Sequence, residues 1–154
     1  MNNVLFYASL MLVAGLGIPV MAALNGGLGS RLQSPALASS ILLLAGFVIA
    51  TLYLLSSEGV PNKIFGSGAP WYYYFGGFFV MFYIMTITWV APKFGVSNAV
   101  SFVLLGQLIA MTAIDHFGLF GSQTYTIDTR RIAGLVVMAL GVFLVLGKTK
   151  GLAG

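Results

Sequence analysis

Five apolar runs dominate the sequence, and most are about as long as a helix that crosses a bilayer. Such a helix needs about 20 mainly apolar residues, because each residue adds about 1.5 Å and the hydrocarbon core is about 30 Å thick. Stretches rich in glycine, proline and polar residues separate the runs and are typical of turns. The pattern predicts transmembrane helices at about residues 4–28, 35–55, 71–91, 96–117 and 132–146, the last of them short.

Composition excludes a water-soluble globule. Only 6% of the 154 residues are charged and 59% are hydrophobic, whereas a soluble domain has about 25% charged residues. No Lys or Arg precedes the first run, and no convincing cleavage site follows it, so we interpret this run as a retained helix rather than a signal peptide. The predicted fold is an all-α, multi-pass membrane protein with a single domain spanning residues 1–154.

Several function classes lack the residues that they need. The chain has no Cys, one His and three acidic residues, which argues against a metal site or a disulfide. No P-loop, nucleophile–base pair or HExxH motif is present, so we expect no enzyme activity and no cofactor. The net charge of +4 is scattered over loops, which favours contact with lipid headgroups over nucleic-acid binding.

Asp115 is the only charged side chain within an apolar run. A carboxylate is costly in hydrocarbon, so its position suggests a functional site. One interpretation is a proton or cation relay at the mouth of a cavity. The interpretation that we favour is a gate-level or structural ion pair with Arg130 or Arg131, which lie on the same side of the membrane at the start of the next helix.

Two uncharged polar residues are further candidates for a substrate path. Gln107 lies eight residues before Asp115, roughly 12 Å along a helix and about 80° around it. It would contact substrate, or form a hydrogen bond with a neighbouring helix or with its own copy in a partner chain. Asn25 follows Pro19 at the end of the first run, where it would line the path or cap backbone groups near Gly26–Gly27; we favour the cap.

The third run is rich in aromatic residues, bounded by Trp71 and Trp89. Trp and Tyr gather at membrane interfaces, so most of these side chains are expected to contact lipid or to pack against helices. Tyr83 and Trp89 are kept as candidates for the substrate path, with Thr86 and Thr88 as minor polar groups.

The distribution of positive charge gives almost no preferred orientation. With five spans, Lys63, Arg130 and Arg131 share one side with the N-terminus, and Arg31, Lys93, Lys148 and Lys150 lie on the other, three against four. Orientation normally follows the side with more Lys and Arg. Either the chain inserts both ways, or the tail with Lys148 and Lys150 fixes its end in the cytoplasm; the charges do not decide.

Several short motifs are spread along nearly the whole chain. They are Pro19 with Ala22-Ala23-Leu24-Asn25 and Leu28, Pro70-Trp71 with Gly76-Gly77, Ala91-Pro92-Lys93-Phe94-Gly95, Gly106-Gln107-Leu108, Ile114-Asp115-His116-Phe117-Gly118, and Arg130-Arg131 with Gly134. Together they resemble one family, the five-helix, YdcZ-type branch of the drug/metabolite transporter superfamily. The family often has Gln four residues before the Asn of helix one, whereas this chain has Met21.

The resemblance implies a transporter of the bacterial inner membrane that pairs with an antiparallel copy of itself or with a paired homologous subunit. Each chain would be half of a ten-helix inverted repeat, with the substrate near the midplane. We therefore expect secondary transport of a small molecule by alternating access in an antiparallel homodimer. Alternatives are a dual-topology small-ion channel and a non-transporting membrane scaffold.

Overall fold

The regular structure is helical throughout the part of the chain that the computed structural model describes, residues 2–60, 68–122, 124–125 and 127–145. Two short 3-10 helices, Trp71–Phe75 and Leu119–Gly121, accompany five α-helices: α1 (Asn2–Arg31), α2 (Pro35–Ser57), α3 (Gly76–Phe94), α4 (Val96–Phe117) and α5 (Thr129–Val145).

Four segments are long and apolar enough to cross a membrane: Val4–Arg31, Pro35–Ser57, Trp71–Phe94 and Val96–Phe117. The prediction of an all-helical membrane protein is confirmed. The fifth predicted span corresponds to α5, which has 17 described residues and is not among these four.

Helix α1 runs three residues beyond its predicted end at residue 28 and stays helical through Gly26–Gly27. Its turn into α2 uses Gln33 at a φ of 52°, and the Ser34 N–H donates to the Gly29 carbonyl at 3.1 Å. Ser34 then caps α2, because its hydroxyl accepts from the Leu37 N–H at 3.2 Å. Pro35 occupies the first turn of α2, as predicted.

The third span begins as the 3-10 helix and continues as α3 past the predicted end at residue 91. Pro92 was expected in a loop but lies within the last turn of the helix. A proline within a helix lacks the N–H donor and crowds the carbonyl four residues earlier, but the N–H groups of the residues after it can still complete the turn. The connection to α4 is reduced to Gly95, whose φ of 91° suits glycine.

Helix α4 has the predicted bounds, and Gly118 ends it in a left-handed conformation. Helix α5 begins three residues earlier than predicted, because Asp128 caps it: the Asp128 carboxylate accepts from the Arg131 backbone N–H at 2.8 Å. Its predicted end at Leu146 lies outside the described residues, as do Lys63, Lys148 and Lys150 of the charge count.

The described residues fall into two compact units divided between Lys93 and Phe94. Most large apolar side chains are exposed in both units, as expected of surfaces that contact lipid or another protein chain. The buried residues are few and mostly small. In the first unit they are Ala22, Asn25, Gly26, Gly29, Ala38, Ser39, Ile84, Ile87, Thr88 and Ala91; in the second they are Ala99 and Val142.

Candidate functional site

In the first unit, α1 packs closely against α2 and α3 through two glycines. A Cβ at Gly29 would lie 2.9 Å from Thr88 Cγ2 and 3.4 Å from the Pro35 Cα, and a Cβ at Gly26 would lie 3.3 Å from Pro92 Cγ. Small residues allow such close approach of helices in lipid, where van der Waals packing favours association. We call this contact region the three-helix junction.

Polar side chains from all three helices lie inside the junction. The Asn25 amide donates to the Thr88 hydroxyl, which donates in turn to the Ile84 carbonyl at 2.7 Å. The Ser39 hydroxyl lies 2.8 Å from the Pro35 carbonyl and 3.4 Å from Thr88 Oγ1. Buried polar groups are costly unless they are hydrogen-bonded, so this network holds the three helices in one arrangement.

The position of Asn25 differs from the helix-end cap that was favoured for it. Asn25 lies within α1, six residues before its end, and is 3% exposed. Its amide contacts a side chain of α3 rather than backbone groups at a helix end. Its assignment to the substrate path stays a prediction.

The two aromatic candidates on α3 have different surroundings. The Tyr83 hydroxyl is buried and has no hydrogen-bond partner among the described residues. Trp89 is exposed, and the Lys93 ammonium lies 4.2 Å from its ring centroid. This cation–π pair, one helical turn apart, is typical of an interface-level anchor.

In the second unit, Asp115 of α4 forms an ion pair with Arg131 of α5. One guanidinium nitrogen, Nη2, donates to Asp115 Oδ2 at 3.3 Å. The Tyr125 ring lies beside the guanidinium, with its centroid 5.2 Å from Arg131 Cζ. Arg130 is exposed and forms no ion pair within the described part of the chain.

The loop after α4 folds back and holds Asp115 in place. The Tyr125 N–H donates to the Asp115 carbonyl at 3.0 Å, and the Ser122 hydroxyl donates to the Ile114 carbonyl at 3.1 Å. At Gly118, φ is 59° and a Cβ would lie 2.8 Å from Thr124 Cγ2. Hydrogen bonds from the loop to two successive carbonyls, those of Ile114 and Asp115, therefore restrain the backbone that carries the Asp115 carboxylate.

An open cavity of about 420 Å³ lies between α4 and α5 beside this ion pair. Its volume is within the range of small-molecule sites. Apolar side chains form most of the lining, with the ion pair and Thr112 as polar groups. The lining residues are Leu108, Met111, Thr112, Asp115, Arg131, Gly134, Leu135 and Met138.

Gln107 lies on the surface of α4, near the middle of the helix. Its neighbours Gly106 and Ala110 are also exposed, and a Cβ at Gly106 would have open space around it. The structure gives the Gln107 amide no hydrogen-bond partner among the described residues. It contributes neither to the three-helix junction nor to the lining of the cavity beside Asp115.

Sequence reasoning missed two of these structural roles. Asp128 lies just before an apolar run, a position typical of a helix cap, but the last helix was predicted to begin only at residue 132. Ser39 carried no such signal, because its contact with Thr88 depends on how α2 packs against α3. Across the described residues, no group of three or more His, Asp or Glu side chains is placed to hold a metal ion.

Long apolar helices with exposed apolar surfaces define a multi-pass membrane protein, and the cavity beside the ion pair is of a size suited to a small molecule. Residues 6–144 match the model of a family described as "Putative inner membrane exporter, YdcZ". The chain therefore belongs to the YdcZ family of the inner membrane, as the motifs predicted. No curated protein and no solved structure matches it.

Proposed function

We propose that this protein is a secondary transporter that moves a small molecule by alternating access, in an assembly of two copies inserted in opposite orientations. Membership in a family described as an exporter supports the transport class. The observation that carries the two-copy arrangement is the exposure of Gln107 in the middle of α4.

An exposed amide at that depth needs a polar environment. The hydrocarbon core offers no hydrogen-bond partners, so polar groups at membrane depth face a helix interface or a water-filled cavity. Gly106 and Ala110 flank Gln107 and are spaced as in close helix contacts within membranes. A second copy packed against this surface would cover the small residues and enclose the amide in a shared path.

In this proposal α5 is the fifth span. Its 17 described residues extend about 25 Å, slightly less than the hydrocarbon core, and a bilayer adapts to such a mismatch at modest cost. Gln107, Tyr83, Trp89 and Asn25 are the proposed path residues. The ion pair of Asp115 with Arg131 would act as a gate at one end of the path.

A topology map of the C-terminus tests the arrangement in cells. Two reporters are fused in turn to the C-terminus, one active only in the cytoplasm and the other only on the outer side of the membrane. Both fusions should give signal, because three positive side chains on one side oppose four on the other and the chain inserts in both orientations. Arg130→Gln reduces the smaller count to two and should bias the population toward one orientation. A single orientation of the unmodified chain would exclude the homodimer proposed here.

A further inference from the structure

Resting on the proposed transport function, we infer that the cavity beside Asp115 and Arg131 binds a small zwitterion that carries an apolar group, such as an apolar α-amino acid. The structure describes one copy of this cavity within the α4–α5 unit, so its chemistry can be considered without the second copy.

Both charges of the ion pair remain accessible to a ligand. The Arg131 and Asp115 side chains are 40% and 33% exposed, and a single contact of 3.3 Å joins them. A guanidinium has five N–H donors and a carboxylate about four acceptor sites. Each partner therefore keeps hydrogen-bonding capacity beyond this one contact, and both line the cavity.

The net charge of the pair selects among ligands. A cationic ligand at Asp115 would compete with Arg131 and leave an excess positive charge, and an anionic ligand at Arg131 would do the reverse. A ligand with both charges gives each side chain an additional opposite charge and leaves the site neutral. Hydrogen bonds between charged groups are the stronger ones, which favours the zwitterion over either singly charged relative.

The rest of the lining suits an apolar substituent. Leu108, Met111, Leu135 and Met138 surround the pair. Methionine is flexible and polarisable, so it adapts to ligands of different shape. Gly134 leaves the α5 side of the cavity open, and a Cβ there would have no heavy atom within 4 Å.

Three probes with one apolar group but different charges test this inference: phenylalanine, phenethylamine and 3-phenylpropanoate. Leucine, isoamylamine and 4-methylpentanoate form a second series with a smaller group. Equilibrium binding is measured with the purified full chain in vesicles of phosphatidylglycerol alone. In at least one of the two series, the zwitterion should bind at least about tenfold more tightly than the amine and the carboxylate of that series.

Variants should change the charge preference in opposite directions. Asp115→Asn leaves Arg131 unpaired and should favour the carboxylate probes, and Arg131→Gln should favour the amines. The exchanged variant Asp115→Arg with Arg131→Asp should again favour the zwitterion. Arg31→Gln, at the end of α1, is the matched control and should bind as the unmodified chain does.

Equal binding of singly charged probes to the unmodified chain, or no binding of either zwitterion at millimolar concentration, would overturn the inference. A zwitterionic lipid headgroup carries the same two charges, so phosphatidylethanolamine is added to the vesicles in a second arm. Competition by this lipid would assign the cavity to a headgroup and overturn the assignment to a small molecule. These results are separable from the topology map, which tests the two-copy transporter without any of these probes.

Discussion

Gly29 lies where α1 approaches α3 so closely that a methyl group has no room. A Cβ there would lie 2.9 Å from Thr88 Cγ2, and Thr88 is held by hydrogen bonds to Asn25 and Ile84. Gly29→Ala should therefore destabilise the protein by about 1–3 kcal/mol, the usual cost of overpacking. Thermal unfolding in detergent measures the change.

Gly27→Ala is the matched control for Gly29, because a Cβ at Gly27 would meet no heavy atom within 4 Å. Alanine is the better helix former, so this variant should unfold at the same temperature as the unmodified protein or higher. Equal unfolding temperatures for the two alanine variants would show that the close approach at Gly29 does not contribute to stability.

The hydrogen bond between Asn25 and Thr88 can be measured by a double-mutant cycle. Thr88→Val keeps the shape but leaves the buried Asn25 amide without its acceptor, and Asn25→Leu removes the amide. The two effects should be coupled by about 0.5–2 kcal/mol, as for polar contacts within membrane proteins. Thr86→Val, at an exposed position on the same helix, should have little effect. Additive effects at 25 and 88 would contradict the contact.

At the scale of the helices, Asp128 decides where α5 begins. Its carboxylate accepts from the Arg131 backbone N–H, so Asp128→Ala should loosen the first turn at a cost of about 1 kcal/mol, and Asp128→Ser should retain most of the cap. Hydrogen exchange of the amides of residues 129–133 measures the effect. If the alanine and serine variants exchange alike, the cap does not hold this turn.

Helix existence and type followed from the sequence, because an apolar run of about 20 residues has few alternatives in a bilayer. Helix ends were less predictable. The third helix was predicted to end before Pro92, although it continues to Phe94. The first helix was predicted to end at residue 28, whereas Gly29 lies within α1, where it packs against Thr88 and Pro35.

The part of the candidate site that could be predicted from the sequence is the ion pair, because a charged side chain at membrane depth needs a partner of opposite charge. A carboxylate within an apolar run needs a positive partner, and Arg130 and Arg131 are the next two positive residues along the chain. Because Asp128 caps the first turn of α5, Arg131 is the one that lies beside Asp115. The surroundings of Asn25 were not predictable in this way, because its contact with Thr88 joins residues 63 positions apart. Such contacts depend on tertiary packing, which local periodicity does not encode.

At the scale of the whole molecule, the depth of a residue predicts which residue of a second copy it meets. In an antiparallel pair, a twofold axis lies in the membrane plane, so mid-membrane positions meet at equal depth, and each helix end meets the opposite end. The chain has no Cys, so introduced cysteines are the only thiols. Gln107→Cys should therefore cross-link to its own copy.

Val100 and Ile114 provide the matched test, because they lie seven residues before and after Gln107, on the same face of α4 and toward its two ends, and neither is buried. Neither Val100→Cys nor Ile114→Cys should cross-link to itself, but a mixture of the two variants should cross-link with each other. In a parallel pair the pattern reverses, since equal positions then meet at every depth. Self-cross-linking at either end of α4 in native membranes would thus reject the inverted arrangement, whereas cross-linking limited to position 107 and to the mixed pair would require it.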